Sequence, residues 1–221
     1  QEQEQEQEQE QESKNVIFIT GCTGFLGSAL LSQLCTSLKL KSNECGSSVG
    51  STISLPPYQI YCLVRVRGGE EKAAQQRLID SLDEREQMDK NLLELIQQNI
   101  VRAVPGDLGL PSFGMSASFF TTLSKRLCCI LHCGSYVNHM FEYAALKGPN
   151  CGSVDTLARM AQRNRPDILY ISTISVLEGN ETEDCQGVRE YIEERAGGYA
   201  SSKFVAEQRL RRLSAYFGTV T

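Results

Sequence analysis

A chain of 221 residues, 41% hydrophobic and 22% charged, is long enough for one well-cored α/β domain and short for two. Its formal net charge is -5, but residues 1–12 alternate Gln and Glu, and without those six glutamates the remainder is close to neutral. A neutral body lacks the electrostatic footprint of a nucleic-acid partner, and no apolar run reaches the roughly eighteen residues of a membrane span.

Residues 1–14 form a low-complexity tail whose glutamates repel at i and i+4 in a helix, so a solvated segment without chemistry is expected. A chain opening on Gln rather than Met reads as processed or as a fragment. Residues 15–221 make the domain. "NVIFIT" predicts a buried strand over 15–20 and "GCTGFLG" a glycine turn. Phe25, Leu26, Leu30, Leu31 and Leu34 then give a helix over 25–38. Ser, Gly and Pro over 41–57 predict a flexible loop. Strands over 59–65, 100–104, 128–132 and 168–172 alternate with helical stretches over 70–98, 116–125, 141–163 and 198–217. "YFGTVT" reads as a helix stop followed by the first residues of another strand. This order predicts an α/β fold, a doubly wound parallel sheet of Rossmann-like type, truncated at its C-terminal end.

Gly21, Gly24 and Gly27 can turn tightly, let a ligand approach and let a helix open on free N–H groups, which suits a phosphate. The spacing G-x-x-G-x-x-G is one residue longer at its first step than that of typical dehydrogenases. A structural turn is the competing reading, and a strand before with a helix after favours the nucleotide. Thr20 and Thr23 offer hydroxyl donors there, while Cys22 fills space. The second strand ends in "CLVRVRGG", where NAD proteins carry an acidic residue for the ribose. Arg65, with Arg67 behind it, suits a ribose phosphate and hence NADP; the alternative is a solvated basic strand edge. Asp107 in "VPGDLG" is either an acceptor for the adenine amino group or a plain turn residue.

Nine cysteines with no CxxC pair and no secretory signal predict free thiols in a reducing, cytoplasmic compartment. "CCILHC" alternates faces as a strand does, so Cys128, Cys129, His132 and Cys133 read as buried strand residues and no metal is expected. "YISTISV" puts Thr173 and Ser175 at the C-terminal end of a strand, where open α/β sheets bind ligands. "GGYASSKFVAE" puts Tyr199 and Lys203 one helical turn apart. An ammonium beside a phenol favours the phenolate and makes its proton available to a substrate oxygen. Such a pair is commonplace by spacing alone. After a phosphate turn and a Thr-tipped strand it reads as a proton relay.

"TGCTGFLG", "YCLVR", "GDLGLPSFGMS", "HCGSYVNH", "GPNCGS", "YISTISV" and "GYASSKFVAE" occur in the order found in extended short-chain dehydrogenase/reductases. From residue 15 onward the chain resembles the thioester reductase domains of carboxylic acid reductases, nonribosomal peptide synthetases and aminoadipate reductases. The resemblance implies that NADPH reduces an acyl thioester, carried on a phosphopantetheine arm, to an aldehyde or alcohol within a larger multidomain enzyme. It makes Gly21, Thr23, Gly24, Phe25, Leu26 and Gly27 the pyrophosphate turn, Arg65 the 2′-phosphate contact, and Asp107 with Leu108 the adenine contact. Cys133, Gly134 and Ser135 then lie along the cofactor on a Rossmann-like NAD(P)-binding fold, and Asn150 helps near the relay at the cofactor. Thr173, Tyr199 and Lys203 form the catalytic set, with Tyr199 and Lys203 also contacting the cofactor and Lys203 holding the nicotinamide ribose. His132 and His139 keep bland roles. Cys22 and Ser135 stand where Ala is usual, and "NCGS" replaces the common "NVxGT". The family continues after "FGTVT" with a strand, a proline-rich cofactor contact and a C-terminal substrate-binding region, so substrate choice is not legible. Two alternatives stand beside this: a fatty acyl-CoA reductase-like enzyme acting on acyl-CoA, and a catalytically incompetent nucleotide-binding fragment.

Overall fold

The computed structural model describes residues 15–44, 58–179, 197–214 and 217–221. The expected tail over 1–14 lies outside them. β1 (Val16–Thr20), β2 (Gln59–Val64), β3 (Val101–Pro105), β4 (Leu127–His132) and β5 (Asp167–Tyr170) form one sheet in the order β3-β2-β1-β4-β5. All four pairings are parallel. The predicted α/β, doubly wound sheet is therefore the observed one. β1 is buried on both faces, as its unbroken apolar run requires. Phe18 points with Leu63, Val104 and Ile130 into one core layer; Ile17 and Ile19 point with Cys62 into the other.

α1 (Phe25–Glu44), α2 (Glu71–Glu84) and α3 (Lys90–Gln97) cover the second layer through Leu31, Leu78 and Leu92. α4 (Ala117–Arg126), α5 (Tyr143–Lys147), α6 (Ser153–Ala161) and α7 (Gly198–Leu213) lie toward the other face, where Leu123, Leu157 and Leu210 join the core. At the outer edge of β5, Ile168 N–H donates to Thr219 O at 2.7 Å and Tyr170 N–H to Thr221 O at 2.8 Å. Residues 219–221 thus pair beside β5 in parallel, as the strand expected after "YFG" should.

Strand ends shift by a residue or two and α7 ends at Leu213 rather than at 217, and three further stretches differ from expectation for a visible reason. α1 runs to Glu44 because no glycine or proline interrupts it before Gly46; the rest of the expected loop, 45–57, lies outside the described residues. The helical stretch over 70–98 is two helices. Glu86 takes a left-handed φ of 55°, and Asp89 restarts the helix by accepting the Leu92 N–H at 2.7 Å. The stretch over 141–163 is carried through Pro149 by a π-helical turn, Gly148–Gly152, which tolerates the missing N–H.

Candidate active site

The C-terminal ends of the strands open on a cleft of about 170 Å³ between the ends of β1, β2, β3 and β4. Gly21 and Thr23 form one wall, Arg65 and Asp107 a second, Gly134 and Ser135 a third. Gly21 has φ 80°, and a Cβ there would lie 2.7 Å from Gly134 N. A Cβ on Gly27 would lie 2.1 Å from Gly21 O. Only glycine allows the turn to fold this tightly and β1 to meet the segment after β4 so closely. Gly24 N–H closes the turn on Gly21 O at 2.9 Å. α1 then opens at Phe25 and Leu26, whose side chains are exposed.

Arg65 is exposed at the end of β2, and its carbonyl accepts from the Arg77 guanidinium. Arg77, not Arg67, joins Arg65 at the cleft. Sequence reasoning missed Arg77 because it stands twelve residues away on α2; the usable signal was its place on the exposed face, one residue before buried Leu78. Asp107 serves its turn, with Oδ1 accepting the Gly109 N–H at 2.8 Å, and also faces the cleft with Leu108. Past Arg65 the cleft continues into a groove of about 670 Å³ lined by Val66, Met115 and Phe119.

Thr20 departs from its expected role as a donor at the turn. Its hydroxyl is fully buried, accepts the Gly134 N–H at 3.0 Å and lies 2.8 Å from His132 Nδ1. Cys133 is half-buried beside the cleft, and burial pushes its thiol up to about 11, so it stays neutral. Asn150 is buried, with Oδ1 accepting the Tyr136 N–H at 2.7 Å and Nδ2 donating to Ser202 Oγ at 2.8 Å. It thereby joins a residue lining the cleft to α7. Among the described residues no cluster of His, Cys, Asp or Glu could hold a metal ion, and no helix is long and apolar enough to cross a membrane.

Tyr199 sits in the first turn of α7, half-buried, with the edge of His139 packed on its ring at 5.3 Å. Lys203, one turn on, is 3% exposed. Its Nζ donates to Ile171 O at 2.5 Å and stands 4.1 Å from the centre of the Tyr170 ring. Burial disfavours the ammonium and lowers Lys203 from 10.5 to about 8. Ser172 donates to Glu207 Oε2 at 2.8 Å, and Arg211 pairs with Oε1 at 2.6 Å. The strand exit carrying Thr173 is therefore tied to α7 by Lys203 and Glu207. Glu207 also escaped notice in the sequence, although its place one turn beyond Lys203 puts it on the same face.

A glycine turn after β1 and a Tyr/Lys helix after β5, on a parallel sheet, define a dinucleotide-binding protein of the extended short-chain dehydrogenase/reductase class. The NAD-binding family described as male sterility protein matches residues 53–219. The chain belongs to this family. It is 33% identical over 196 residues to a linear gramicidin synthase of Brevibacillus parabrevis, covering 86% of this chain and 3% of that protein. It is 31% identical over 169 residues to a carboxylic acid reductase of Segniliparus rugosus, covering 71% of this chain and 14% of that enzyme. The crystal structure of the terminal R domain from the myxalamid biosynthetic pathway superposes with a TM-score of 0.73 at 30% identity, over 94% of this chain and 47% of that one. The chain thus spans about half of the solved R domain and a small part of the curated relatives. The relatives include proteins named as reductases, and a nicotinamide cofactor fits the NAD-binding family.

Proposed function

We propose that residues 15–221 form the NADPH-binding part of a thioester reductase that reduces an acyl thioester, presented on the phosphopantetheine arm of a carrier domain, to an aldehyde or alcohol. The observation that carries this is the pairing of Arg65 and Arg77 at a glycine-walled cleft, together with a buried Lys203 one turn beyond Tyr199 on α7. Gly21 and Gly27 allow a turn so tight that any Cβ would collide with backbone, and it brings the start of α1 to the cleft wall formed by Gly21 and Thr23, so the residues present fit a dinucleotide. Thr23, Gly24, Phe25 and Leu26 would hold the pyrophosphate side, Arg65 and Arg77 the 2′-phosphate, and Asp107 with Leu108 the adenine. Cys133, Gly134 and Ser135 would follow the cofactor, with Asn150 fixing the backbone beside them. The nicotinamide supplies the hydride. Thr173 and Tyr199 hydrogen-bond the thioester oxygen and meet the charge that develops there, and Tyr199 delivers its proton to that oxygen. Lys203 holds a positive charge behind the phenol and lowers the work of that transfer. A cytoplasmic setting and membership of a larger multidomain enzyme belong to the same proposal, supported by the free thiols and by relatives in which the matched part is a small share of the chain.

Two expectations test the cofactor and relay assignments. Charge-assisted hydrogen bonds contribute about 1.5–3 kcal/mol each. Arg65→Ala combined with Arg77→Ala should therefore weaken NADPH about a hundredfold or more in a fluorescence titration, while NADH binding stays within a few-fold. The pH profile tests Lys203. It is charged below about 8 in the cofactor-free protein and neutral above, so kcat/KM should hold through neutrality and fall as pH rises past about 8. A profile flat to pH 10 contradicts the role given to Lys203. Assaying acyl-carrier and acyl-CoA substrates side by side separates the carrier enzyme from an acyl-CoA reductase.

A further inference from the structure

A single line of buried hydrogen bonds crosses the sheet from the glycine turn to the Tyr199 helix, and His132 is at its centre. The imidazole is 1% exposed and stacks on the Tyr170 ring, centroids 5.5 Å apart and planes at 22°. Its Nδ1 lies 2.8 Å from Thr20 Oγ1 and its Nε2 3.4 Å from Ser153 Oγ. Thr20 Oγ1 accepts the Gly134 N–H, and among its described partners Nδ1 is the acceptor for the hydroxyl's own proton. Nδ1 is then an acceptor, and the ring proton sits on Nε2, aimed at Ser153. Ser153 donates to Asn150 O at 3.0 Å, the Asn150 side-chain amide donates to Ser202 Oγ at 2.8 Å, and Ser202 donates to Tyr199 O at 2.7 Å. Every hydroxyl on this path gives one proton and receives one. The opposite tautomer would leave the Thr20 proton without its acceptor and draw the Ser153 proton away from Asn150. A doubly protonated ring would strand the Thr20 proton in the same way, next to the buried Lys203 ammonium. Burial and that ammonium hold the imidazole down at about 3, so it stays neutral.

We propose that His132 is a positioning residue: as a neutral Nε2–H imidazole it registers the end of β1 and the Gly134 segment, which frame the cofactor cleft, against the helix that carries Tyr199. This rests on the reductase function proposed above, since the two parts aligned are the dinucleotide turn and the proton donor. His132 touches neither substrate nor cofactor and acts through Thr20 and Ser153. Buried networks satisfied in this way can couple groups whose side chains never meet.

The test has two arms. In the wild-type protein without ligands, ¹⁵N resonances of the His132 ring should show the neutral Nε2–H form unchanged from pH 5 to 8. A proton on Nδ1, or titration near 6.5, overturns the proposal whatever the enzyme reduces. In the second arm, Thr20→Val and Ser202→Ala cut the line at its two ends. Each should lower kcat about tenfold with the NADPH dissociation constant within threefold, and the double variant should lose about tenfold again in total rather than a hundredfold. In a His132→Phe background, which keeps the stack on Tyr170, adding either change should cost nothing further in kcat. Multiplicative losses, or losses that track only the folded fraction measured by circular dichroism, overturn it. Where thioester reduction itself is absent, the reductase proposal fails, while the ring resonances and Gly134 amide exchange in His132→Phe still decide the positioning role.

Discussion

Tyr199→Phe is expected to reduce the rate of thioester reduction at least a hundredfold while leaving NADPH affinity within about twofold. The phenol ring remains, so the edge contact with His139 and the backbone link through Ser202 persist. Only the hydroxyl leaves. With it go a hydrogen bond to the developing oxyanion and the proton that neutralises it; loss of one such donor alone costs about 3 kcal/mol. Lys203 stays buried against Ile171 O and the Tyr170 ring, so the fold should be undisturbed. Stopped-flow absorbance of NADPH consumption with an acyl-pantetheine substrate gives the rate, and equilibrium fluorescence gives the affinity. If both fall together, Tyr199 has a binding role instead.

Gly27→Ala should remove NADPH binding by a different route. The new methyl would lie 2.1 Å from Gly21 O and 2.6 Å from Gly21 C, both backbone atoms held by the closed turn. No side-chain rearrangement relieves that collision, so α1 must tilt away or the turn must open. Overpacking a rigid site costs about 1–3 kcal/mol and at times more. Loss of the turn geometry should weaken NADPH more than a hundredfold, and the melting temperature should drop by several degrees. By contrast, Gly68→Ala should change NADPH affinity little, because a Cβ there meets nothing within 4 Å. Its φ of 83° should still cost a modest amount of stability.

Strong local signals that agree with the global fold make much of this architecture readable from sequence. β1 is buried on both faces, and a strand covered by helices on both sides must be apolar throughout, so its sequence announces it. Gly21 and Gly27 are recognisable because each is required by backbone contact. What escapes is set by tertiary contact. The break at Glu86 contains no glycine or proline and depends on Asp89 capping a second helix. Arg77 reaches the cleft only because α2 packs back along β2 and β3, a fact no window of sequence contains. Thr20 looks like a donor for phosphate by position, yet its side chain points under Gly134 toward β4, where His132 engages it. His132 itself reads as structural in the sequence; its burial agrees with that, and its two nitrogens give the burial a direction.

The most direct test follows the hydride. The protein should be incubated with NADPH bearing deuterium at the transferred position and with an acyl thioester on a phosphopantetheine carrier, and the released product analysed by mass spectrometry. On the carbon that was the thioester carbonyl, one deuterium in an aldehyde product or two in an alcohol, present in wild type and lost in Tyr199→Phe, is the expected result. Tight NADPH binding by the folded protein with no deuterium reaching any thioester-derived product would contradict it.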